Sequence, residues 1–281
     1  MIIDIHTHVM HEGFDVTKIK LNLISRMFYQ RMETPTYKDY VKKLTFHLDE
    51  SVVDKAVLIA LEREPLSAGN SAIIELCRIN NNFLYGANLN PLAANIEDQV
   101  EKAVENNAVL VKLLPSFQNV NPADTKCIPF YQALKKHRLP LLVHTGVEHT
   151  VRTDHQEYNH PALLKTAAQL GVVIICAHCG CPMYLHEKPY FQAWVEMALQ
   201  YPNVYGDLSG LGSIVRSSYL KKILKNRQLL EKIVFGTDYP AFPVFLFRKS
   251  NSNIFNDWYN FFEKMGFDQV VFNRAESLLR L

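Results

Sequence analysis

The chain has 281 residues, of which 48% are hydrophobic, and its formal net charge is +2. That length suits one α/β barrel of about 250 residues or two smaller domains. The balanced charge excludes the basic surface of a nucleic-acid-binding protein and the polybasic segment of a protein that binds anionic membranes. We therefore expect a small-molecule substrate, with no nucleic acid and no membrane as partner. Homo-oligomerisation stays open.

The N-terminal sequence, the lengths of the apolar runs and the cysteines together indicate a cellular location. The N-terminal sequence MIIDIHTHVM lacks the basic region of a secretory signal, and no run approaches the ~20 apolar residues of a membrane helix. The five cysteines are odd in number and unevenly spaced, which argues against a disulfide framework. We expect a cytoplasmic protein.

Short apolar segments that end in glycine, proline or polar residues recur along the chain and predict strands. The predicted strands are 2–9, 55–62, 83–91, 108–116, 139–146, 172–180, 203–210 and 232–240. The segments between and after them carry apolar residues at three- and four-residue spacing, which predicts helices. The predicted helices are 36–49, 66–82, 94–107, 128–138, 160–170, 189–200, 212–226, 252–265 and 268–281.

Regular alternation of strand and helix predicts a parallel sheet with helical crossovers. Eight such units in a chain of this length favour a closed (β/α)8 TIM barrel that occupies residues 1–281 as a single domain. The long connections 10–34 and 146–160 are of the kind that often covers a site.

Residues that can bind a metal or titrate gather at the predicted carboxyl ends of the strands, which meet at one mouth in a barrel. They are His6, His8, Lys112, His144, His178 and Asp238. His6 and His8 are two residues apart and so share a strand face. Two imidazoles with a carboxylate opposite suit Zn²⁺. Each residue alone has an ordinary structural explanation, but their combination predicts a metal site.

This order of residues resembles the metal-dependent amidohydrolase superfamily. The matching strings are DIHTH at 4–8, VKLLP at 111–115, YNHPALL at 158–164, AHCG at 177–180 and GTDYP at 236–240. The most similar branch is the one that includes aminocarboxymuconate-semialdehyde decarboxylase and its relatives.

The resemblance implies one divalent metal ion, most simply zinc, held by His6, His8, His144 and Asp238. It implies catalytic roles for Asp238 and for His178, which would help to deprotonate a metal-activated water. In two-metal relatives, His144 and His178 instead hold a second ion and a carboxylated lysine, here Lys112, bridges both. Otherwise Lys112 is a structural or substrate-binding residue.

Further polar residues near the strand ends have candidate roles. Arginines at these positions suit a substrate carboxylate, although each is also explained as a surface residue; they are Arg63, Arg152 and Arg216. Others can orient the metal ligands; they are Asp4, Asp207, Ser209 and Thr237. Asp4 is expected to be hydrogen-bonded, since a buried unpaired carboxylate is costly.

The resemblance implies an enzyme, a metal-dependent hydrolase that acts on a small ester, lactone or amide. The alternative is a metal-dependent lyase, a decarboxylase or hydratase of a small unsaturated or aromatic acid, and the fold alone does not separate the two. A non-catalytic barrel that retains a relic site is a third hypothesis. It predicts a metal-free protein or a mouth plugged by residues 10–34.

Overall fold

The computed structural model describes residues 1–10, 37–62, 67–148, 153–213, 215–240 and 253–281. Eight parallel strands form one sheet in which the strand order follows the chain order, so each strand pairs with the next. The strands are β1 Ile3–His8, β2 Lys55–Ile59, β3 Phe83–Asn88, β4 Ala108–Leu113, β5 Leu141–His144, β6 Ile174–Ala177, β7 Val204–Asp207 and β8 Ile233–Val234.

Helices follow the strands, as the right-handed crossovers between parallel strands require. They are α1 Tyr37–Asp49, α2 Asn70–Ile79, α3 Ile96–Glu105, α4 Pro115–Gln118, α5 Ile128–His137, α6 Lys165–Gln169, α7 Phe191–Gln200, α8 Ser217–Leu224, α9 Arg227–Leu230, α10 Ile254–Met265, α11 Gln269–Asn273 and α12 Ala275–Leu278. No helix in the described ranges is long and apolar enough to cross a bilayer.

The sheet closes where the chain beyond β8 meets β1. The backbone N–H of Ile5 donates to the carbonyl of Phe235 at 3.3 Å, and that of His8 donates to Tyr239 at 2.6 Å. Thr7 and Tyr239 form a parallel bridge. The predicted (β/α)8 barrel is therefore confirmed. Hydrogen bonds from residues in the loop after β8 join the last strand to the first, in place of a long ladder between the two strands.

Two buried apolar clusters show how the strands are packed. The smaller cluster takes alternate strand residues, such as Ile3 and Ile5 of β1, and fills the barrel interior. The larger cluster combines the remaining strand residues with the apolar faces of the helices. Most strand residues are thus buried, whichever side of the sheet they face, which explains the apolar runs within β2, β4, β5 and β6.

The observed strands are shorter than predicted at their carboxyl ends, most clearly in two cases. The segment 232–240 forms a strand only over Ile233–Val234, and β6 ends at Ala177, so His178 lies just beyond it rather than within it. His178 and Asp238 have φ angles of 62° and 63°. This left-handed conformation cannot continue a strand, so these residues turn the chain into the mouth.

Several predicted helices are also shorter or divided. Residues 160–170 form a 3-10 turn, Pro161–Leu164, followed by α6, and residues 268–281 form α11 and α12. Apart from Met10, the connection 10–34 lies outside the described residues, as do 149–152 of the connection 146–160. The cover that we predicted for the mouth therefore stays a prediction.

Candidate active site and metal centre

Three ligand-bearing side chains converge at the mouth of the barrel. Nε2 of His6 and Nε2 of His8 are 3.2 Å apart. Oδ1 of Asp238 lies 3.4 Å from the former and 3.3 Å from the latter. Ligand atoms about 2.0 Å from a tetrahedral ion lie about 3.3 Å from one another. The spacing and the imidazole and carboxylate donors therefore fit a divalent metal such as zinc.

Backbone hydrogen bonds fix the position of this triad. The N–H of Asp238 donates to the carbonyl of His6 at 2.7 Å. The carbonyl of His8 accepts from the hydroxyl of Tyr40 at 2.7 Å. Ligands that are more than 200 residues apart in sequence are thus joined by direct backbone contact between β1 and the loop after β8.

His178 stands beside the triad. Its Nε2 lies 3.9 Å from Oδ2 of Asp238, and its ring stacks on that of His6 with centroids 5.5 Å apart. Burial holds the pKa of His178 well below its ordinary value, although Asp238 opposes this shift. His178 is therefore neutral at physiological pH and faces the carboxylate oxygen that is not directed at the two triad histidines.

His144, the predicted fourth ligand, lies outside the group of ligand atoms that are all within 4.8 Å of one another. Its ring centroid is 5.1 Å from that of His178, and its Nε2 lies 3.7 Å from Oε2 of Glu148. That Nε2 is buried and has no hydrogen-bond partner among the described residues. Burial lowers the pKa of His144 to about 4.

Glu148 is a site residue that the sequence analysis missed. It is only 7% exposed and lies in the loop after β5, four residues beyond His144. The sequence signal that could have identified Glu148 is its position, four residues after the histidine near the carboxyl end of the predicted strand. Such a residue cannot be distinguished from an ordinary loop glutamate until the loop path is known.

Lys112 enters the site from β4. Its ammonium nitrogen donates to Nε2 of His6 at 2.8 Å, and its side chain is almost completely buried. Burial lowers the pKa of Lys112 to about 8, while Asp238, Asp207 and Glu148 act in the opposite direction. Most Lys112 side chains are therefore protonated at neutral pH.

The two carboxylates of the inner site are ionised. Burial alone would raise the pKa of Asp238, but His6, His8 and His178 outweigh it and hold that pKa well below its ordinary value. For Asp207, too, burial is outweighed, chiefly by His6, and the pKa falls to about 2. Burial lowers the pKa of His8 to about 4, so this ligand is neutral and its lone pair is available.

The expectation that Asp4 is hydrogen-bonded is confirmed. Its Oδ1 accepts from the backbone N–H groups of His6 at 2.9 Å and Thr237 at 3.1 Å. Its Oδ2 accepts from the Thr237 hydroxyl at 2.6 Å. Burial nevertheless raises the pKa of Asp4 to about 6. Asp4 ties β1 to the segment that carries Asp238, and no hydrogen bond joins it to an imidazole among the described residues.

The three candidate arginines have different outcomes. Arg63 and Arg152 lie outside the described residues. Arg216 is only 4% exposed. Its Nε donates to the carbonyl of Pro182 at 3.1 Å and its Nη1 to that of Gly210 at 3.4 Å. The guanidinium therefore links the loops that follow β6 and β7, and its charge acts on His178 and His144.

The family is established by a match to the amidohydrolase family model over residues 3–250. The chain therefore belongs to the amidohydrolase family, as the sequence resemblance predicted. A search of curated proteins finds no significant match.

Similar solved structures share the fold at low sequence identity. An uncharacterised TIM-barrel protein from Bordetella bronchiseptica has a TM-score of 0.67 at 15% identity, over 99% of this chain and 95% of that one. A probable 2-pyrone-4,6-dicarboxylic acid hydrolase from Acinetobacter baumannii, with citric acid bound, has a TM-score of 0.65 at 16% identity, over 99% and 96%. The 2,6-dihydroxybenzoate decarboxylase from Rhizobium has a TM-score of 0.59 at 14% identity, over 99% and 98%.

Proposed function

We propose that the chain is a metal-dependent hydrolase of a small ester, lactone or amide that bears a carboxylate. The observation that carries this proposal is the triangle of His6, His8 and Asp238, whose sides of 3.2, 3.4 and 3.3 Å match a tetrahedral ion. A neutral histidine stands directly beside this triangle. Such a combination supplies both a ligand set and a proton acceptor.

Four residues would hold the metal: His6, His8, Asp238 and, as the fourth, His144. Nε2 of His144, which is buried and has no hydrogen-bond partner among the described residues, supports its assignment. When bound, a divalent cation lowers the pKa of water from 15.7 to about 7 and polarises a substrate carbonyl. Zinc suits this donor set best, and one ion per chain is the simplest occupancy.

Asp238 and His178 would accept and transfer the proton of the attacking water. Oδ1 of Asp238 faces the two triad histidines, while Oδ2 faces Nε2 of His178 at 3.9 Å. The ionised carboxylate accepts a proton from the attacking water, and the neutral imidazole accepts or relays it. The same proton is then available for the leaving alcohol or amine, which balances the hydrolysis.

Two buried cations favour an anionic substrate. Lys112 and Arg216 are 1% and 4% exposed, and the charges of both act on Asp238. A substrate carboxylate at the mouth would be stabilised by these charges in a site of low dielectric. The solved hydrolase with bound citric acid, which is itself a polycarboxylate, supports this choice.

The alternative is a lyase that decarboxylates a small aromatic acid. The same two cations favour its substrate, and 2,6-dihydroxybenzoate decarboxylase shares the fold. The two reactions differ in outcome, because hydrolysis opens an acyl bond and consumes water, whereas decarboxylation releases CO₂ and returns a proton to carbon.

The deciding experiment compares the two reactions on one metal-quantified preparation. 2-Pyrone-4,6-dicarboxylate is offered as the lactone, with pyrone absorbance as readout, and 2,6-dihydroxybenzoate as the acid, with CO₂ release as readout. We expect lactone opening that is lost after chelation and restored by zinc. Metal-dependent CO₂ release without lactone, ester or amide hydrolysis would overturn the proposal in favour of the lyase. No metal and no turnover would indicate the relic barrel.

A further inference from the structure

One carboxylate contacts both halves of the proposed site. Oδ2 of Asp207 lies 2.8 Å from Nδ1 of His6, a triad histidine. Its Oδ1 accepts from the backbone N–H of His178 at 2.8 Å and from the Ser209 hydroxyl at 2.5 Å. Asp207, Ser209 and His6 are completely buried, and His178 is nearly so. Water therefore does not compete for these contacts.

The single hydroxyl hydrogen of Ser209 determines the tautomers of the His6 and His178 rings. The hydroxyl has one hydrogen, and at 2.5 Å this is donated to Asp207. The hydroxyl oxygen then acts only as an acceptor toward Nδ1 of His6 at 3.0 Å and Nδ1 of His178 at 2.9 Å. Both nitrogens must carry hydrogen. The Nδ1–H of His178 also meets the carbonyl of Ser209 at 2.9 Å.

The contact on the opposite side of the His6 ring is compatible with the same tautomer. Lys112 has only donor hydrogens, and its ammonium lies 2.8 Å from Nε2 of His6. With the hydrogen of the ring on Nδ1, Nε2 accepts from this ammonium and its lone pair is directed into the mouth.

Asp207 also holds the backbone turn that presents His178. His178 and the next residue, Cys179, have φ angles of 62° and 53°, which are uncommon for residues other than glycine. The thiol of Cys179 donates to the carbonyl of Asp207 at 3.2 Å. Side-chain and main-chain oxygens of one residue thus fasten both ends of this turn.

We propose that Asp207, assisted by Ser209, is a positioning residue that fixes His6 and His178 as Nδ1–H tautomers and so directs both Nε2 lone pairs toward the mouth. The inference rests on the proposed function for what those lone pairs act on. The tautomers themselves belong to the metal-free chain. A single residue on β7 thereby prepares both a metal ligand and the proton acceptor.

The substitution Asp207→Asn tests this with almost no change in shape. The amide oxygen must face the backbone N–H groups of His178 and Ser209, because an NH₂ group there would meet two donors. The NH₂ group is then forced toward Nδ1 of His6, which must become an acceptor. His6 therefore carries its hydrogen on Nε2, the nitrogen that a metal needs, and the flexible Lys112 side chain must turn its ammonium away from that hydrogen.

The readout is the tautomer of each histidine in the metal-free protein, measured by long-range ¹H–¹⁵N NMR, together with zinc affinity from calorimetry. In the unaltered chain we expect Nδ1–H on both His6 and His178. In Asp207→Asn we expect Nε2–H on His6 and a 10- to 100-fold weaker zinc affinity, the usual loss for a partner that orients a ligand.

Asp4→Asn is the matched control, since Asp4 is equally buried but its hydrogen bonds within the described residues go to backbone N–H groups and to the Thr237 hydroxyl. It should leave both tautomers unchanged. An Asp207→Asn protein that keeps Nδ1–H on His6 would overturn the inference. If that variant does not fold, the unaltered chain provides the test: an Nε2–H tautomer on either His6 or His178 would also overturn the inference. Failure of turnover would instead reject the proposed function and leave the tautomer result standing.

Discussion

The ammonium nitrogen of Lys112 lies 2.8 Å from Nε2 of His6, the same atom that faces Asp238 in the ligand triangle. One lone pair cannot serve both a lysine hydrogen and a metal ion. Lys112 and a single metal therefore compete for His6, and this competition separates the one-metal hypothesis from the two-metal hypothesis.

Replacement of Lys112 by methionine, which is similar in length but uncharged, should increase zinc affinity about tenfold in a one-metal site. The change removes a nearby positive charge and a competing donor, and 1.4 kcal/mol corresponds to tenfold. Calorimetry with zinc measures the affinity. If Lys112 is a carboxylated bridge, the same variant will instead bind more weakly and its stoichiometry will fall from two ions to one or fewer.

Loss of both triad histidines should abolish metal retention. His6→Ala with His8→Ala removes two of the three donors in the triangle, so metal content should fall from about one equivalent to near zero. Elemental analysis measures the content, and far-UV circular dichroism checks that the barrel still forms.

His155→Ala is the matched control for the double variant. His155 is a surface residue that stacks on Tyr158 and pairs with Glu157. It should leave metal content unchanged. A double variant that keeps stoichiometric metal would be incompatible with the assigned triad.

Asp238→Asn should decrease turnover by at least about 100-fold, because it removes the negative charge that accepts the proton. Asparagine tolerates the φ angle of 63° at this position, so the backbone is preserved. The measurement is the steady-state rate of hydrolysis of 2-pyrone-4,6-dicarboxylate. Asp124→Asn, on a surface turn, is the control, and comparable activity in the two variants would exclude a catalytic role for Asp238.

Acid should destabilise the metal-free protein at a pH above the range in which most carboxylates titrate. Burial lowers the pKa of His8 and of His144 from 6.5 to about 4 and that of His178 further, so the unfolded chain binds more protons there. Asp4, whose pKa is raised to about 6, binds a proton in the folded state and offsets one of the three. The stability associated with these neutral histidines is complete above pH 6.5 and is lost as the pH falls toward 4.

Between pH 6.5 and 4 the unfolded chain should bind up to two more protons than the folded protein. The free energy of unfolding should therefore fall with pH by about 1.4 kcal/mol per pH unit for each of these protons. Urea unfolding of chelator-treated protein at pH 7, 6 and 5 measures this slope. His144→Gln should decrease it by about one proton. A free energy of unfolding that rises on acidification would contradict the assignment of these histidines as neutral.

The fold was predictable because its signal is repeated. Eight apolar runs with intervening helical periodicity specify a barrel even when each boundary is wrong by several residues. The strand ends were less predictable. His178 and Asp238 leave the strands through left-handed turns, and those turns are set by distant contacts, such as the bond from the N–H of Asp238 to the carbonyl of His6.

The three residues of the candidate metal triad were predictable, but their hydrogen-bond partners were not. His6 and His8 lie on β1 and Asp238 lies in the loop after β8, and barrel geometry brings these elements to one mouth. That Asp207 joins His6 to His178, or that Glu148 approaches His144, depends on loop paths and rotamers, which local sequence does not encode. The catalytic roles themselves stay predictions until they are measured.

The buried cysteines around the β6 turn have a practical consequence. Cys176, Cys179 and Cys181 are fully buried, and burial raises the pKa of each thiol far above its ordinary value. A thiol-specific reagent can reach them only when this part of the barrel opens. The partly exposed Cys77 should react first. The labelling rate of Cys176, Cys179 and Cys181 would then measure how often the β6 turn opens in the native protein, without any engineered cysteine.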